Sequence, residues 1–264
     1  MSFDIPIIQK HLTPLAVGSD IRLFGTVTST NSVLRDLAKA GTPEGTVVIA
    51  DEQTAGHGRF ANPWFSPPGV NLYASILFRP PIPPRDVAGF SFVGPIALSD
   101  AIKAEGMWST IKWPNDVLVD GKKVAGILVE CATIENRVDY VILGVGVNLN
   151  VTRDALRAAL GSAGLFASSL REVTGCEIDR NAFAAALLNH VAAWVEVYRR
   201  QGPAPLIAAW RDRDILTGRR VEVRGEGVAY EGRVLGVDRE GYLLLRDSHG
   251  DVRPVLTGEI RLSD

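Results

Sequence analysis

The stretch that decides the fold class is Lys112-Trp113-Pro114-Asn115-Asp116-Val117-Leu118-Val119-Asp120-Gly121-Lys122-Lys123-Val124-Ala125-Gly126-Ile127-Leu128-Val129. Two apolar runs, Val117 to Val119 and Val124 to Val129, flank Asp120-Gly121. That dipeptide is favoured in two-residue hairpin turns, where both central residues need positive φ. A hairpin pairs antiparallel strands, so the sheet holding it is not the all-parallel sheet of a doubly wound protein. Working outward, Ile21 to Val27, Thr46 to Ala50, Leu72 to Phe78 and Val138 to Val147 also read as strands. Asn31 opens a helix that Gly41 stops, and Asp86 to Lys103 is helix-like, with Pro95 expected to kink or divide it. Asn181 to Tyr198 is the clearest amphipathic helix, carrying Phe183, Leu187, Val191 and Val195 on one stripe. Ile5 to Leu12 is a short helical segment interrupted by Pro6 and Pro14, and residues 51–71 form an irregular loop. Residues 1–216 are therefore expected to be an α+β domain with a mixed sheet. Residues 217–264 change texture: short alternating runs break at Gly225, Gly227, Asp238 to Gly241 and Asp247 to Gly250, as in a small all-β barrel.

Composition narrows the function classes. The 264 residues carry 28 basic and 30 acidic side chains, a net charge of −2. Residues 217–264 hold eight arginines against nine acids, so no basic tail is hidden there. Bulk electrostatic capture of nucleic acid is disfavoured. Cys131 and Cys176 are too few for a disulfide framework. Met1-Ser2-Phe3-Asp4 opens no signal peptide, and no uninterrupted apolar run reaches the ~18 residues of a membrane span. The expectation is a cytoplasmic globular protein with no membrane partner.

Three constellations could carry chemistry. Thr28-Ser29-Thr30-Asn31 leaves a strand for a helix: either an N-cap, or small hydroxyls gripping a polar ligand beside free backbone donors. Gln53-Thr54-Ala55-Gly56-His57-Gly58-Arg59, followed by Trp64, formally matches G-x-G-x-x-A through Ala61. The strand ends too early and Asn62-Pro63-Trp64 cannot continue a helix, so the dinucleotide fingerprint is rejected. What remains is a glycine loop with a cation and an aromatic, which is either a solvated loop or one that folds over an anionic ligand. The third is Lys112 to Gly126. The chain has six lysines against 22 arginines, and Lys112, Lys122 and Lys123 cluster here. A charged hairpin tip is one explanation. Strand alternation puts Lys123 on the face of Ala125 and Ile127 and Lys122 on the other, so one ammonium projects over a sheet face where it could meet a phosphate or carboxylate. Asp116 suits Mg²⁺, which is held by one or two carboxylates plus substrate phosphates, or is a turn residue. Gly144-Val145-Gly146-Val147-Asn148 closes a strand, allowing close ligand approach or marking a bulge. No Walker A, zinc or serine-nucleophile motif is present, and His11, His190 and His249 are scattered. A cation with an aromatic, clustered lysines and no covalent nucleophile suggest nucleotide-dependent activation of a small acid.

In this order, Thr28 to Asn31, Gln53 to Arg59, Trp64-Phe65-Ser66-Pro67, Lys112 to Asp116, Lys123 to Glu130 and Gly144 to Asn148 closely resemble the biotin–protein ligase family. The resemblance implies a mixed-sheet catalytic domain of the biotin/lipoate ligase type with an SH3-like C-terminal barrel. It implies that biotin's carboxylate attacks the α-phosphate of ATP to give biotinyl-5′-AMP, and that a lysine of a biotin carboxyl carrier domain then takes the biotinyl group. By motif, Ser29, Thr30, Asn31, Gln53, Gly56, His57, Gly58, Arg59, Lys123 and Gly126 would bind biotin. Arg59, Trp64, Asn115, Asp116, Lys123 and Asn148 would bind the nucleotide. Lys123 and Arg59 would be catalytic, and Asp116 would hold Mg²⁺. Two departures stand out. The family's Gly-Arg-Gly-Arg core reads Gly56-His57-Gly58-Arg59 here, and the residues before Ile21 are too few for the DNA-binding domain of regulatory members. A ligase without DNA binding is expected, with a homodimer left open. The same fold is implied for lipoate ligases and octanoyltransferases, so another acyl group is an alternative. A non-catalytic binding protein using the SH3-like barrel is a second, and it leaves the lysines and the glycine loop without a role.

Overall fold

The computed structural model describes residues 2–13, 17–225 and 228–263; the expected interruption at Pro14 and break at Gly227 lie outside them. The strands are β1 (Asp20–Val27), β2 (Thr46–Gln53), β3 (Leu72–Phe78), β4 (Thr110–Lys112), β5 (Asp116–Val119), β6 (Lys122–Ile134), β7 (Arg137–Val147), β8 (Arg220–Gly225), β9 (Val228–Val237), β10 (Leu243–Arg246), β11 (Val252–Val255) and β12 (Glu259–Leu262). The helices are α1 (Ile5–Lys10), α2 (Thr30–Lys39), α3 (Ala88–Ala104), α4 (Arg153–Leu160), α5 (Leu170–Thr174), α6 (Arg180–Gln201) and α7 (Ala204–Arg211).

β1 and β2 pair in parallel; every other pairing in the seven-stranded sheet, ordered β1-β2-β3-β7-β6-β5-β4, is antiparallel. The mixed sheet follows from the hairpin, whose Asp120 and Gly121 take φ of 50° and 71°. The last five strands form a separate antiparallel sheet, ordered β11-β10-β9-β8-β12, around buried Val221, Val223, Val234, Leu243, Leu245 and Ile260.

The two faces of the large sheet are covered unequally, and that asymmetry makes the site. One face is closed by α3 and α6, against which Val141, Leu143, Val145 and Val147 of β7 pack. On the other face α2 covers only part: Leu34 and Ala38 cluster with Val48, Leu77, Tyr140 and Ile142. Alternation along β7 carries that second face on to Gly144 and Gly146, beyond the first turn of α2.

Pro95 does not divide α3. The helix runs through it, and burial of residues from Gly89 to Ile102 outweighs the missing backbone donor. Pro6 likewise suits the first turn of α1, where no helical bond is lost. Pro84–Ala104, with mean hydropathy 1.3, is the one segment among the described residues long and apolar enough to cross a bilayer. In this fold it is the central core helix, packed on α6, α7 and β6.

Candidate functional site

Where α2 leaves the sheet uncovered there is a cleft of about 340 Å³. That lies at the small end of the usual range for ligand sites, ~300–1,000 Å³. Ser29, Thr30, Asn31, Gln53, His57, Gly58, Arg59, Trp64, Asn115, Asp116, Lys123 and Gly126 all line it, from five separate stretches of chain. Gly56 does not. It is packed beneath the loop, where a Cβ would come within 2.7 Å of Ser66 Oγ and 2.8 Å of Gln53 Nε2.

The hydroxyls at the start of α2 are not spent on capping. Ser29 occupies the N-cap position with an extended backbone, yet its side chain takes no capping bond. Thr30 N–H instead donates to Gln53 Oε1 at 2.9 Å, and Gln53 Nε2 donates to Ser66 Oγ at 3.0 Å. Gln53 is thereby held with its amide orientation fixed. The N-cap alternative fails because the helix's first donor is met from β2.

Lys123 faces the cleft for a reason that alternation alone conceals. Val117 pairs with Ala125 but Leu118 pairs with Lys123, so one extra residue bulges from β6. The bulge resets the faces. Val124 and Ala125 both enter the core, and Lys123 turns to the same side as Gly126, whose hypothetical Cβ would lie 3.5 Å from Lys123 Cε. The expected grouping of Lys123 with Ala125 and Ile127 is therefore corrected. Its ammonium sits 2.6 Å from Asp116 Oδ1 and 5.3 Å from the Trp64 ring centroid. Asn115 is engaged with the same strand: its Nδ2 donates to the Ile127 carbonyl at 2.7 Å.

Trp64 is half-buried and lies across the sheet, not free in solvent. A Cβ on Gly146 would come within 2.5 Å of Trp64 Nε1, and one on Gly126 within 3.3 Å of the ring. These two glycines are register partners on β6 and β7 and together make the ring's bed. Trp64 Nε1 is buried with no hydrogen-bond partner. A second cleft of about 610 Å³ adjoins the first and shares Trp64, Lys112, Asp116 and Lys123 with it. It is mostly apolar, lined by Phe65, Leu156, Leu160 and Phe166, and it contains Asn148. Asn148 is thus separated from the first cleft; its Nδ2 donates to Ser168 O at 3.0 Å.

The small β domain reaches the same site, which no sequence feature had signalled. Gly258, Glu259 and Ile260 line the first cleft. Arg59 Nη2 donates to Thr257 Oγ1, Lys112 Nζ to Ile260 O at 3.2 Å, and Trp113 Nε1 to Gly241 O at 3.0 Å. Burial lowers the Arg59 pKa from its ordinary value, with Asp116 pulling the other way. His57 is half-buried at the cleft wall, with Nδ1 3.2 Å from the Ala55 carbonyl and its backbone bridged to Pro63.

Residues 23–148 match the biotin/lipoate A/B protein ligase family, and residues 216–263 match the biotin protein ligase C-terminal domain. The chain is 34% identical over 260 residues to the bifunctional ligase/repressor BirA of Bacillus spizizenii, covering 97% of this chain and 78% of that protein. It is 35% identical over 206 residues to the biotin–[acetyl-CoA-carboxylase] ligase of Paracoccus denitrificans, covering 77% and 85% of the two. Among solved structures, the biotin protein ligase of Aquifex aeolicus in complex with biotin and ATP superimposes with a TM-score of 0.77 at 25% identity, covering 93% of this chain and all of that one. With two domains matched in order and a relative aligned over nearly the whole of this chain, the protein belongs to the biotin protein ligase family.

Proposed function

We propose that this chain is an ATP-dependent biotin–protein ligase, residues 1–216 forming its catalytic domain and 217–264 its C-terminal domain. A carboxylate oxygen of biotin attacks the α-phosphorus of ATP, the bond to pyrophosphate breaks, and biotinyl-5′-AMP remains bound. The amine of a lysine on a biotin carboxyl carrier domain then attacks the mixed anhydride, AMP leaves, and the amine gives up its proton.

One observation carries this reading: two clefts of different chemistry meet at Lys123 and Asp116, with Lys112 beside them. The first, with Ser29, Thr30, Asn31 and Gln53, suits a small polar ring. The second, apolar and bounded by Trp64 and Asn148, suits a nucleobase. Lys123 stands in both, where an acid carboxylate entering from one side and a phosphate entering from the other would approach. Both groups are anionic, so a fixed cation between them opposes the repulsion that makes the reaction slow. Holding the two reactants in register does the rest, and no protein group needs to become covalently modified. Arg59 adds a second cation on the loop side.

Asp116 fits a Mg²⁺ that arrives with the nucleotide. Among the described residues no three carboxylate, imidazole or thiol groups converge on a ready-made metal site. One or two carboxylates suffice to hold a phosphate-bound Mg²⁺, and Asp116 supplies one. When bound, the ion would neutralise phosphate charge and favour pyrophosphate as leaving group. Net charge of −2 supports a chain that does not bind DNA, and its oligomeric state is read by sedimentation with and without biotin and ATP.

The test is ATP–pyrophosphate exchange with the purified chain. Exchange that depends on biotin, and not on lipoate or octanoate, supports the reading. Exchange driven by either of the latter acids, and not by biotin, would replace it with a lipoyl or octanoyl enzyme.

A further inference from the structure

Beneath the first cleft runs a chain of polar groups, buried at Thr30, Asn31 and Ser75 and half-buried at Arg35 and Glu130, whose hydrogen-bond directions are set from its far end. Arg35 Nη2 donates to both oxygens of Glu130, at 2.9 and 3.0 Å. Paired in this way, the carboxylate serves as an acceptor. Asn31 Nδ2 donates to Glu130 Oε2 at 3.0 Å, which fixes the Asn31 amide with its oxygen turned the other way. The Asn31 amide lies directly over Gly144, whose missing side chain leaves it room: a Cβ there would come within 2.3 Å of Oδ1. Asn31 Oδ1 lies 2.5 Å from Ser75 Oγ. An amide oxygen has no proton to give, so the single Ser75 proton goes to it.

The consequence falls on Thr30. Its Oγ1 lies 2.7 Å from Ser75 Oγ, and both groups are buried, at 4% and 0% exposure. Since Ser75 has spent its proton on Asn31, the proton in this contact is the one carried by Thr30. Thr30 Oγ1 also lies 3.2 Å from Gln53 Oε1, but that oxygen already takes the Thr30 amide N–H at 2.9 Å, and the longer contact is the weaker claim. The Thr30 hydroxyl therefore meets the cleft with lone pairs only.

We propose that Arg35, Glu130, Asn31 and Ser75 form a relay that presents Thr30 as an obligate hydrogen-bond acceptor, and so select an acid whose ring offers an N–H. Ser75 and Glu130 are positioning residues, acting through Thr30. The proposal rests on the biotin reading above and deepens it: the ureido ring of biotin carries two N–H donors, whereas a plain acyl chain carries none. A buried acceptor left facing a ligand without a donor loses the full cost of desolvating it, which is why such a site rejects.

The test is calorimetric binding of three ligands to the full chain: biotin, and the two cyclic-carbamate analogues in which one or the other ring N–H is replaced by oxygen. The wild type should bind one of the analogues roughly 10–100-fold more weakly than biotin, the cost of one unpaired buried group. Glu130→Gln keeps the shape but lets the Asn31 amide reverse. Ser75→Ala removes the group that takes the Thr30 proton. In both variants the ratio between biotin and that analogue should fall to within about threefold of unity, because the Thr30 proton is then left only the long 3.2 Å contact to Gln53 Oε1 and can turn to the carbamate ring oxygen. A merely structural role would weaken both ligands together and leave the ratio intact, and that result overturns the proposal. So does a wild type that binds biotin and both analogues alike. Wild-type binding of biotin without any pyrophosphate exchange would sink the ligase reading and leave the relay's ratio to be judged on its own.

Discussion

Lys123 and Asp116 form an ion pair at 2.6 Å at the point where the two clefts join, with the Trp64 ring 5.3 Å from the same ammonium. Both side chains remain partly exposed, at 37% and 26%, so the pair contributes little to folding stability. Its worth is in position. The ammonium is held by a partner it can leave, or share, when phosphate arrives.

Lys123→Ala should impair adenylate formation more than biotin binding. The interaction it removes grows as carboxylate and phosphate approach, and donors of this kind are worth roughly 10²-fold or more in rate. Single-turnover formation of the adenylate, set against calorimetric biotin affinity, separates the two effects. Biotin affinity falling while the rate holds would reverse the assignment.

Trp64→Ala should weaken ATP more than biotin. The ring borders the apolar second cleft, and loss of an aromatic face costs about 1–3 kcal/mol per base. Gly146→Ala offers an independent route to the same residue. Its new Cβ would meet Trp64 Nε1 at 2.5 Å and expel the ring from its bed without altering its chemistry. The two variants should weaken ATP alike; equal loss of biotin in both would indicate collapse of the loop.

His57→Arg should slow release of biotinyl-5′-AMP. His57 stands at the cleft wall on the loop that carries Arg59, and an arginine there would add a fixed cation with several donors facing an anionic ligand. Adenylate dissociation followed by stopped flow at neutral pH reads the difference directly. Identical rates for the two proteins would show that the side chain at 57 does not meet the adenylate.

Much of this site could be read from local sequence, and its failures have local causes. Asp120-Gly121 announced the hairpin, and the apolar runs on either side announced the antiparallel part of the sheet. Period-2 alternation puts Lys123 on the wrong face because it assumes an unbroken ladder, and one bulged residue reverses it. Ser75 carries a signal of its own: it is the single polar side chain besides the Tyr73 hydroxyl in Leu72–Phe78, and a polar group in a fully buried strand needs a partner. Helices α4, α5 and α7 span eight residues or fewer, too short for an amphipathic period to stand out. Thr257 carried no signal at all, since its partner Arg59 lies 198 positions away and only the docking of the second sheet brings them together.

That contact supports the last prediction. Arg59 is the fixed cation of the Gln53 to Arg59 loop, and its guanidinium is held on one side by Thr257 and lies 6.0 Å from the Trp113 ring centroid on another. Trp113 and Lys112 are themselves bonded to the second domain through Gly241 and Ile260, so the β domain grips both walls of the cleft at once. Thr257→Ala removes the side-chain contact and leaves the two backbone-directed bonds, and therefore the docking, in place. A hydrogen bond to a charged group is worth about 1.5–3 kcal/mol when buried, and less here, where solvent reaches the pair. The expected outcome is release of biotinyl-5′-AMP faster by roughly 3–10-fold, at about 1.4 kcal/mol per tenfold, with thermal stability little changed. Thr257→Ser keeps the hydroxyl and should restore the wild-type rate. Slower release from Thr257→Ala would mean that the tether draws Arg59 away from the ligand, and the second domain would then oppose closure of the loop.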